Sequence, residues 1–222
     1  TKDLIAQVLA PAGPTIAPVG SFNNEIGLPL TACRVAADTQ FLVSEMGARG
    51  LGHVAFLCTI TPPSIGAVLN VGHAHLGEFG SQQVIAQAKG ELVEALDAEG
   101  WAVLNADDPL VAAMASRTPA RVAYYSALGE PAAGDRRVWA SDVAADDLQR
   151  FSFTLHDGDA SAPVRLQVLG RHNVSNALAA AAVGLCAGLT LDAVAAALSA
   201  ATTRSKWRMQ LDQRADGLAV LN

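Results

Sequence analysis

The chemistry in this sequence is concentrated between Asn70 and Glu91, in NVGHAHLGEFGSQQVIAQAKGE. His73 and His75 follow an apolar run through Gly72, where an imidazole can bind metal or phosphate, or serve as a satisfied loop residue. The HxH spacing alone lacks the third ligand of a committed zinc site. Glu45 follows Phe41, Leu42 and Val43 in FLVSEMGARG. An acid at the carboxyl end of a buried parallel strand faces the usual active-site edge of an α/β sheet. Such an oxygen ligand suits magnesium, and the alternative is a hydrogen bond to loop amides. Lys89 sits inside a helical pattern beside Gly90 and Glu91. Burial favours the neutral amine of a lysine, and a neutral amine can take up carbon dioxide as a carbamate. That reaction replaces a cation by an anion able to sit beside magnesium. A phosphate contact or a pair with Glu91 is the simpler role.

Further polar groups could line the same cleft. Asn105, Asp107 and Asp108 close another strand, where they also suit a turn and a helix cap with Pro109 at the first helical position. Arg171, His172, Asn173 and Asn176 open an alanine-rich helix in GRHNVSNALAAAA. Asparagine can read an adenine edge and histidine can stack on a ring, although a cap also explains Asn173. Arg204, Lys206 and Arg208 form a basic patch suited to phosphate or to solvent. The turn-rich GSFNNEIGLPLT, with Asn23, Asn24 and Thr31, reads as a structured binding loop rather than a regular element. No GxxxxGK[ST] phosphate loop occurs.

The elements that must hold these groups alternate. Leu4, Ile5, Val8 and Leu9 share one helical face, and Pro11 to Pro18 ends that helix. Strands are expected at Gln40–Ser44, Ile65–Val71, Trp101–Leu104 and Arg121–Tyr125, with a short helix near Gly52 and a longer one over Gln82–Leu96. Strand–helix alternation implies parallel βαβ units. After Gly129 the pattern becomes antiparallel, with Val138–Val143, Arg150–Leu155 and Val164–Val168 and a hairpin turn at Gly158. Helices return over Asn173–Cys186 and Leu191–Leu198, and strands at Trp207–Leu211 and Leu218–Leu221 are joined by a hairpin. The expected fold is α/β, a mostly parallel sheet flanked by helices in residues 1–128, with a smaller antiparallel group plus helices in 129–222.

Hydrophobic residues make up 51% of the 222 and charged residues 16%, which excludes disorder. A net charge of −6 favours solubility and gives no support to nucleic-acid binding. The apolar segments are too short for membrane insertion, and the absence of a secretory signal points to the cytoplasm. Cys33, Cys58 and Cys186 lie too far apart for a metal motif and read as buried thiols.

Taken together, GSFNNEIGLPLT, VSEMGARGLGH, NVGHAHLGEFGS, AKGE, LNADD and GRHNVSNALAAAA resemble, in order and spacing, the central ATP-binding domain of the Mur ligase family. The resemblance covers nearly the whole chain, and its first and third segments favour the branch that adds D-alanyl-D-alanine to a UDP-N-acetylmuramoyl-tripeptide. It implies a P-loop NTPase-like fold, a monomer, and ATP-dependent amide bond formation through an acyl phosphate. It also implies magnesium held by Glu45, His75 and a carbamylated Lys89, the three catalytic residues. By the same resemblance His172, Asn173 and Asn176 meet the adenine end and Arg208 the phosphates, with Trp207 where the family often has glycine. Asn23, Asn24 and Thr31 approach the UDP-linked substrate. Family members carry a GK[ST] loop just before a segment like Thr1–Leu9, an N-terminal UDP-binding domain and a C-terminal Rossmann-like domain. The expectation is therefore a central domain cut at both ends, with little or no ligase activity alone. A ligase of this scaffold with another amine substrate, such as a folylpolyglutamate synthase-like enzyme, or a noncatalytic nucleotide-binding module, are the competing readings.

Overall fold

The structure, a computed structural model, describes residues 1–72, 81–204, 211–213 and 219–221. Helix α1 (Lys2–Leu9) buries Leu4, Val8 and Leu9, the apolar stripe read from the sequence. Strand β1 (Thr15–Ile16) follows inside the proline-flanked segment that had seemed only to end α1. It pairs in parallel with β2 (Phe41–Leu42). Between them lies α2 (Gly27–Ala32). This corrects the expectation of a wholly irregular loop there. The Asn24 side chain accepts from the amides of Gly27 at 2.8 Å and Ile26 at 3.2 Å, which starts the helix, and Pro29 is tolerated within its first turn.

Helix α3 (His53–Ile60) starts at Gly52, whose φ of +80° lies in the left-handed region that favours glycine. Then come β3 (Ile65–Val68), α4 (Gln82–Glu94), β4 (Trp101–Asn105), α5 (Pro109–Ala112), a 3-10 turn (Ala113–Arg117) and β5 (Arg121–Ser126). Strands β6 (Arg136–Ala145), β7 (Arg150–Asp157) and β8 (Ala160–Leu169) precede α6 (His172–Cys186) and α7 (Leu191–Ala200). Strands β9 (Leu211–Gln213) and β10 (Ala219–Leu221) form an antiparallel pair. Most of the expected Trp207–Leu211 strand and the connecting hairpin lie outside the described residues.

One sheet runs β3-β4-β5-β6-β7-β8. Its first three pairings are parallel and its last two antiparallel. The parallel and antiparallel parts are thus one continuous sheet, because β6 pairs both ways. On β4 the alternation of side chains is visible: Val103 faces α1, α6 and α7, whereas Ala102 and Leu104 face α4, Val111 and Met114. Covered on both faces, β4 is buried almost throughout, whereas β7 and β8 alternate buried with more exposed residues, as strands with one open face do. Arg117 fastens α4 by donating to the carbonyls of Ala86 at 3.2 Å and Gln87 at 2.9 Å and pairing with Glu94 at 2.8 Å. Among the described residues, β2 pairs with β1 alone and β3 with β4 alone, and both line one cleft. Cys58 is buried and Cys186 half-buried, but Cys33 is exposed, against expectation.

The small residues of α6 let α1 and α7 approach closely. A Cβ at Gly184 would stand 2.6 Å from Val8 Cγ1 and 3.1 Å from Val194 Cγ2, both on stiff branched side chains. Gly184→Ala is therefore expected to destabilise the fold by about 1–3 kcal/mol, measured by urea unfolding. An unchanged midpoint would mean that the helices part without strain.

Candidate active site

A cleft of about 710 Å³ runs along the whole of β2 and β3, from Gln40 to Met46 and from Thr61 to Asn70, and Thr1, Lys89 and Asn176 also line it. Glu45 is half-buried three residues beyond β2. Its Oε1 accepts a 3.0 Å hydrogen bond from Asn23 Nδ2, so a loop side-chain amide holds it.

Lys89 reaches the cleft from α4, and its Nζ donates to the carbonyl of Asn70 at 2.6 Å. Desolvation pulls its pKa below the usual lysine value, against the opposing charge of Asp108. The alternative pair with Glu91 is not formed. The Glu91 carboxylate instead accepts from the amides of Gly52 at 2.6 Å and Ala55 at 3.0 Å, across the start of α3. It caps a helix far away in sequence, where a negative charge meets the orphan amides and the positive end of the dipole.

The NADD turn is engaged internally. Asp108 Oδ1 caps α5 through the amides of Leu110 and Val111, as its spacing implied, while Oδ2 accepts from Val71 at 2.7 Å. Asp107 holds Ser126 Oγ at 2.5 Å and the Ala127 amide at 2.8 Å. Asn105 donates to the Leu69 carbonyl at 2.9 Å. The ends of β3, β4 and β5 are thereby tied together.

Across the cleft, Thr1 Oγ1 donates to Asn176 Oδ1 at 2.6 Å, and Asn176 Nδ2 donates to Asn173 Oδ1 at 3.0 Å. Asn173 Nδ2 donates to the Leu169 carbonyl at 2.7 Å. The cap reading of Asn173 is corrected, since Arg171 stands at the cap and Asn173 lies within α6. His172 is exposed at the first turn of α6. Asn176, rather than His172 or Asn173, lines the cleft. Asn24 caps α2, and Thr31 is 3% exposed with its hydroxyl donating to the Gly27 carbonyl at 2.9 Å. Of that loop it is Asn23 that reaches Glu45.

His73, His75, Lys206 and Arg208 lie outside the described residues. Among the described residues, no three of His, Cys, Asp and Glu converge to hold a metal ion. Burial pushes the Cys58 thiol up to about 11 and the Cys186 thiol up to about 12, which makes both poor nucleophiles at neutral pH. No helix among the described residues is long and apolar enough to cross a membrane. Sequence reasoning missed His53, whose ring bridges two loops, and the Glu91 cap. Both contacts span distant segments, and no local pattern signals them.

A cleft beside an α/β sheet that is lined by an acid beyond β2, a desolvated amine from α4 and an asparagine amide from α6 is the frame of a ligand-binding enzyme core. The chain belongs to the Mur ligase family, whose middle domain matches residues 1–184. It is 55% identical over 222 residues to the UDP-N-acetylmuramoyl-tripeptide–D-alanyl-D-alanine ligase of Mycobacterium tuberculosis, covering 100% of this chain and 42% of that protein. MurF from Acinetobacter baumannii superposes with a TM-score of 0.87 at 30% identity, over 96% of this chain and 46% of that one. MurF from Thermotoga maritima, solved in complex with ADP, superposes at 0.81 with 25% identity, over 96% and 48%. The chain thus spans less than half the length of the curated relatives it matches.

Two outcomes follow from the geometry. Glu91→Gln leaves one α3 amide facing an NH₂ group and is expected to cost about 1–2 kcal/mol, read by urea unfolding. A loss within error would mean that solvent replaces the cap. For Lys89, the folded state disfavours the ammonium, so protonation opposes folding below the depressed pKa. That cost fades as pH rises through the folded pKa towards the ordinary lysine value of about 10.4. Wild type is expected to gain stability relative to Lys89→Met over that rise, measured by thermal melts. A constant gap would mean that the amine is fully solvated.

Proposed function

We propose that this chain is the ATP-binding central domain of a ligase that joins D-alanyl-D-alanine to UDP-N-acetylmuramoyl-tripeptide in peptidoglycan precursor synthesis. The unbroken match along all 222 residues to a relative named for that reaction carries the reading. The placement of Glu45 and Lys89 in one cleft supports it, as does the ADP held by the Thermotoga maritima relative.

In the proposed reaction the tripeptide carboxylate attacks the γ-phosphorus of ATP and ADP leaves, giving an acyl phosphate. The dipeptide amine then attacks the carbonyl carbon, and the tetrahedral intermediate expels phosphate as the amide forms. Glu45 contributes a carboxylate to the cleft, oriented by Asn23. Lys89 offers an amine whose burial favours the neutral form. That amine adds to carbon dioxide, forming an N–C bond and releasing a proton, to leave a carbamate. This donor set suits a divalent cation, and Glu45, His75 and the carbamate are the proposed ligands. Magnesium bound there would draw charge from the transferring phosphoryl group. Asn176 with Thr1 and Asn173, together with His172, is proposed for the nucleotide side, Arg208 for its phosphates, and Asn23, Asn24 and Thr31 for the UDP-linked substrate. The reading includes a cytoplasmic monomer.

The test is phosphate release by the full-length protein with ATP, magnesium, UDP-muramoyl-tripeptide and D-alanyl-D-alanine. Dipeptide-dependent release coupled to pentapeptide formation is expected. Release with a different amine would move the reading to another ligase of this scaffold, and nucleotide binding without release to a noncatalytic module. Lys89→Ala is expected to lower kcat by about 10²–10³-fold. It is also expected to remove a carbamate carbon signal from NMR spectra taken in ¹³C-bicarbonate. Full activity in Lys89→Ala would remove the lysine from the chemistry.

A further inference from the structure

The turn between Glu45 and α3 is held by a histidine that has no part in the proposed reaction. His53, at the first position of α3, has a side chain 18% exposed. Its Nδ1 lies 2.8 Å from the Gly47 carbonyl, and its Nε2 lies 3.2 Å from Glu25 Oε2. A carbonyl oxygen only accepts, so Nδ1 must carry a proton. In a neutral ring Nε2 would then present a lone pair to a carboxylate, and two acceptors would face each other. The arrangement is satisfied by an imidazolium donating from both nitrogens.

We propose that His53 is a positioning residue for the UDP-linked substrate, acting as a charged clip that fastens the loop around Asn23–Gly27 to the Glu45 turn. Three observations tie the clip to the site. Gly47 donates its amide to the Asn23 carbonyl at 2.8 Å. The Asn23 side chain in turn holds Glu45 Oε1 at 3.0 Å. On the far side, Glu91 anchors Gly52 and Ala55 on either side of His53, fixing the ring's backbone to the Lys89 helix. His53 therefore sits where three segments meet: the candidate substrate loop, the Glu45 turn and α3.

The charged groups around the ring are consistent with this. Glu25 carries the clip's negative end, and Arg49 lies 3.7 Å from its other oxygen. The Glu25 carboxyl lies below its ordinary value, chiefly through a backbone hydrogen bond and next through His53. Glu91, the other nearby acid, is engaged with the α3 amides. Loss of the clip releases the Glu25 side chain from the Gly47 turn, leaving only the Gly47–Asn23 backbone bond between the two segments, without removing any group proposed to touch ATP.

The role in substrate positioning rests on the ligase reading, whereas the charged clip does not, so two measurements separate them. In the present chain, ¹⁵N NMR of the His53 ring at neutral pH is expected to show both nitrogens protonated. In Glu25→Gln the ratio of doubly to singly protonated ring is expected to fall by about twofold to fivefold. A neutral ring in wild type, or an unchanged fraction in Glu25→Gln, would overturn the clip. In the full-length protein, Glu25→Gln and His53→Gln are each expected to raise KM for the UDP-linked tripeptide by about threefold to tenfold, with KM for ATP unchanged. Equal shifts in both KM values, or a lowered melting temperature with neither KM changed, would reduce His53 to a structural residue. Absence of ligase activity in wild type would sink the function and leave the NMR result standing.

Discussion

Every strand that ends at the carboxyl edge of this sheet leaves backbone groups without a ladder partner, and those groups must be satisfied. The chain meets that demand with acids and amides drawn from neighbouring strand ends. Asp108 holds Val71, Asp107 holds Ala127 and Asn105 holds Leu69. Glu91 performs the same task for the first amides of α3. These pinned side chains brace the strand ends and α3 outside the cleft itself, whose lining includes Glu45 and Lys89. Preorganisation of this kind lets a site present charge without reorganising during a reaction.

The same economy explains the asparagines. Asn173 and Asn176 link the start of α6 to Thr1, and Asn23 links a surface loop to Glu45. Each amide offers a donor and an acceptor at once, so one residue can join two segments that share no ladder. Lys89 is the contrast. Its stem is covered and its nitrogen has the Asn70 carbonyl as partner, so its charge is disfavoured where a surface lysine's would not be. The frame supplies that asymmetry, because α4 is pressed on the sheet by Ile85, Ala88 and Val93.

The layered packing transmits these constraints. The small, fully buried alanines at 177 and 179–182 bring α6 close to the sheet and to α1. Thr1 then falls beside Asn176 because α1 is seated on that helix. Close packing thus sets a polar contact 175 positions apart in sequence. Interiors packed at crystal-like density pass such displacements along rather than absorbing them.

Much of this was written in the sequence. Apolar periodicity located α1, α4, α6, α7 and the six strands of the main sheet, because burial on a helix or a strand demands a period that one chain segment displays by itself. The Asp108–Pro109 start of α5 was equally local. Glu45 and Asn176 stood out as strand-end and helix-start groups and Lys89 as a lysine inside a helical pattern, and the fold places all three along one cleft. What the sequence could not show was pairing between distant segments. It hid β1, a two-residue strand among prolines, and α2, whose start depends on one Asn24 side chain. It left Glu91 as a partner for Lys89, although the fold turns that carboxylate to α3. It gave no sign that His53 would meet both Glu25 and Gly47. Periodicity is a property of neighbours along the chain, whereas these contacts exist only once tertiary packing has brought remote backbone groups within 3 Å or so of a side chain that can satisfy them.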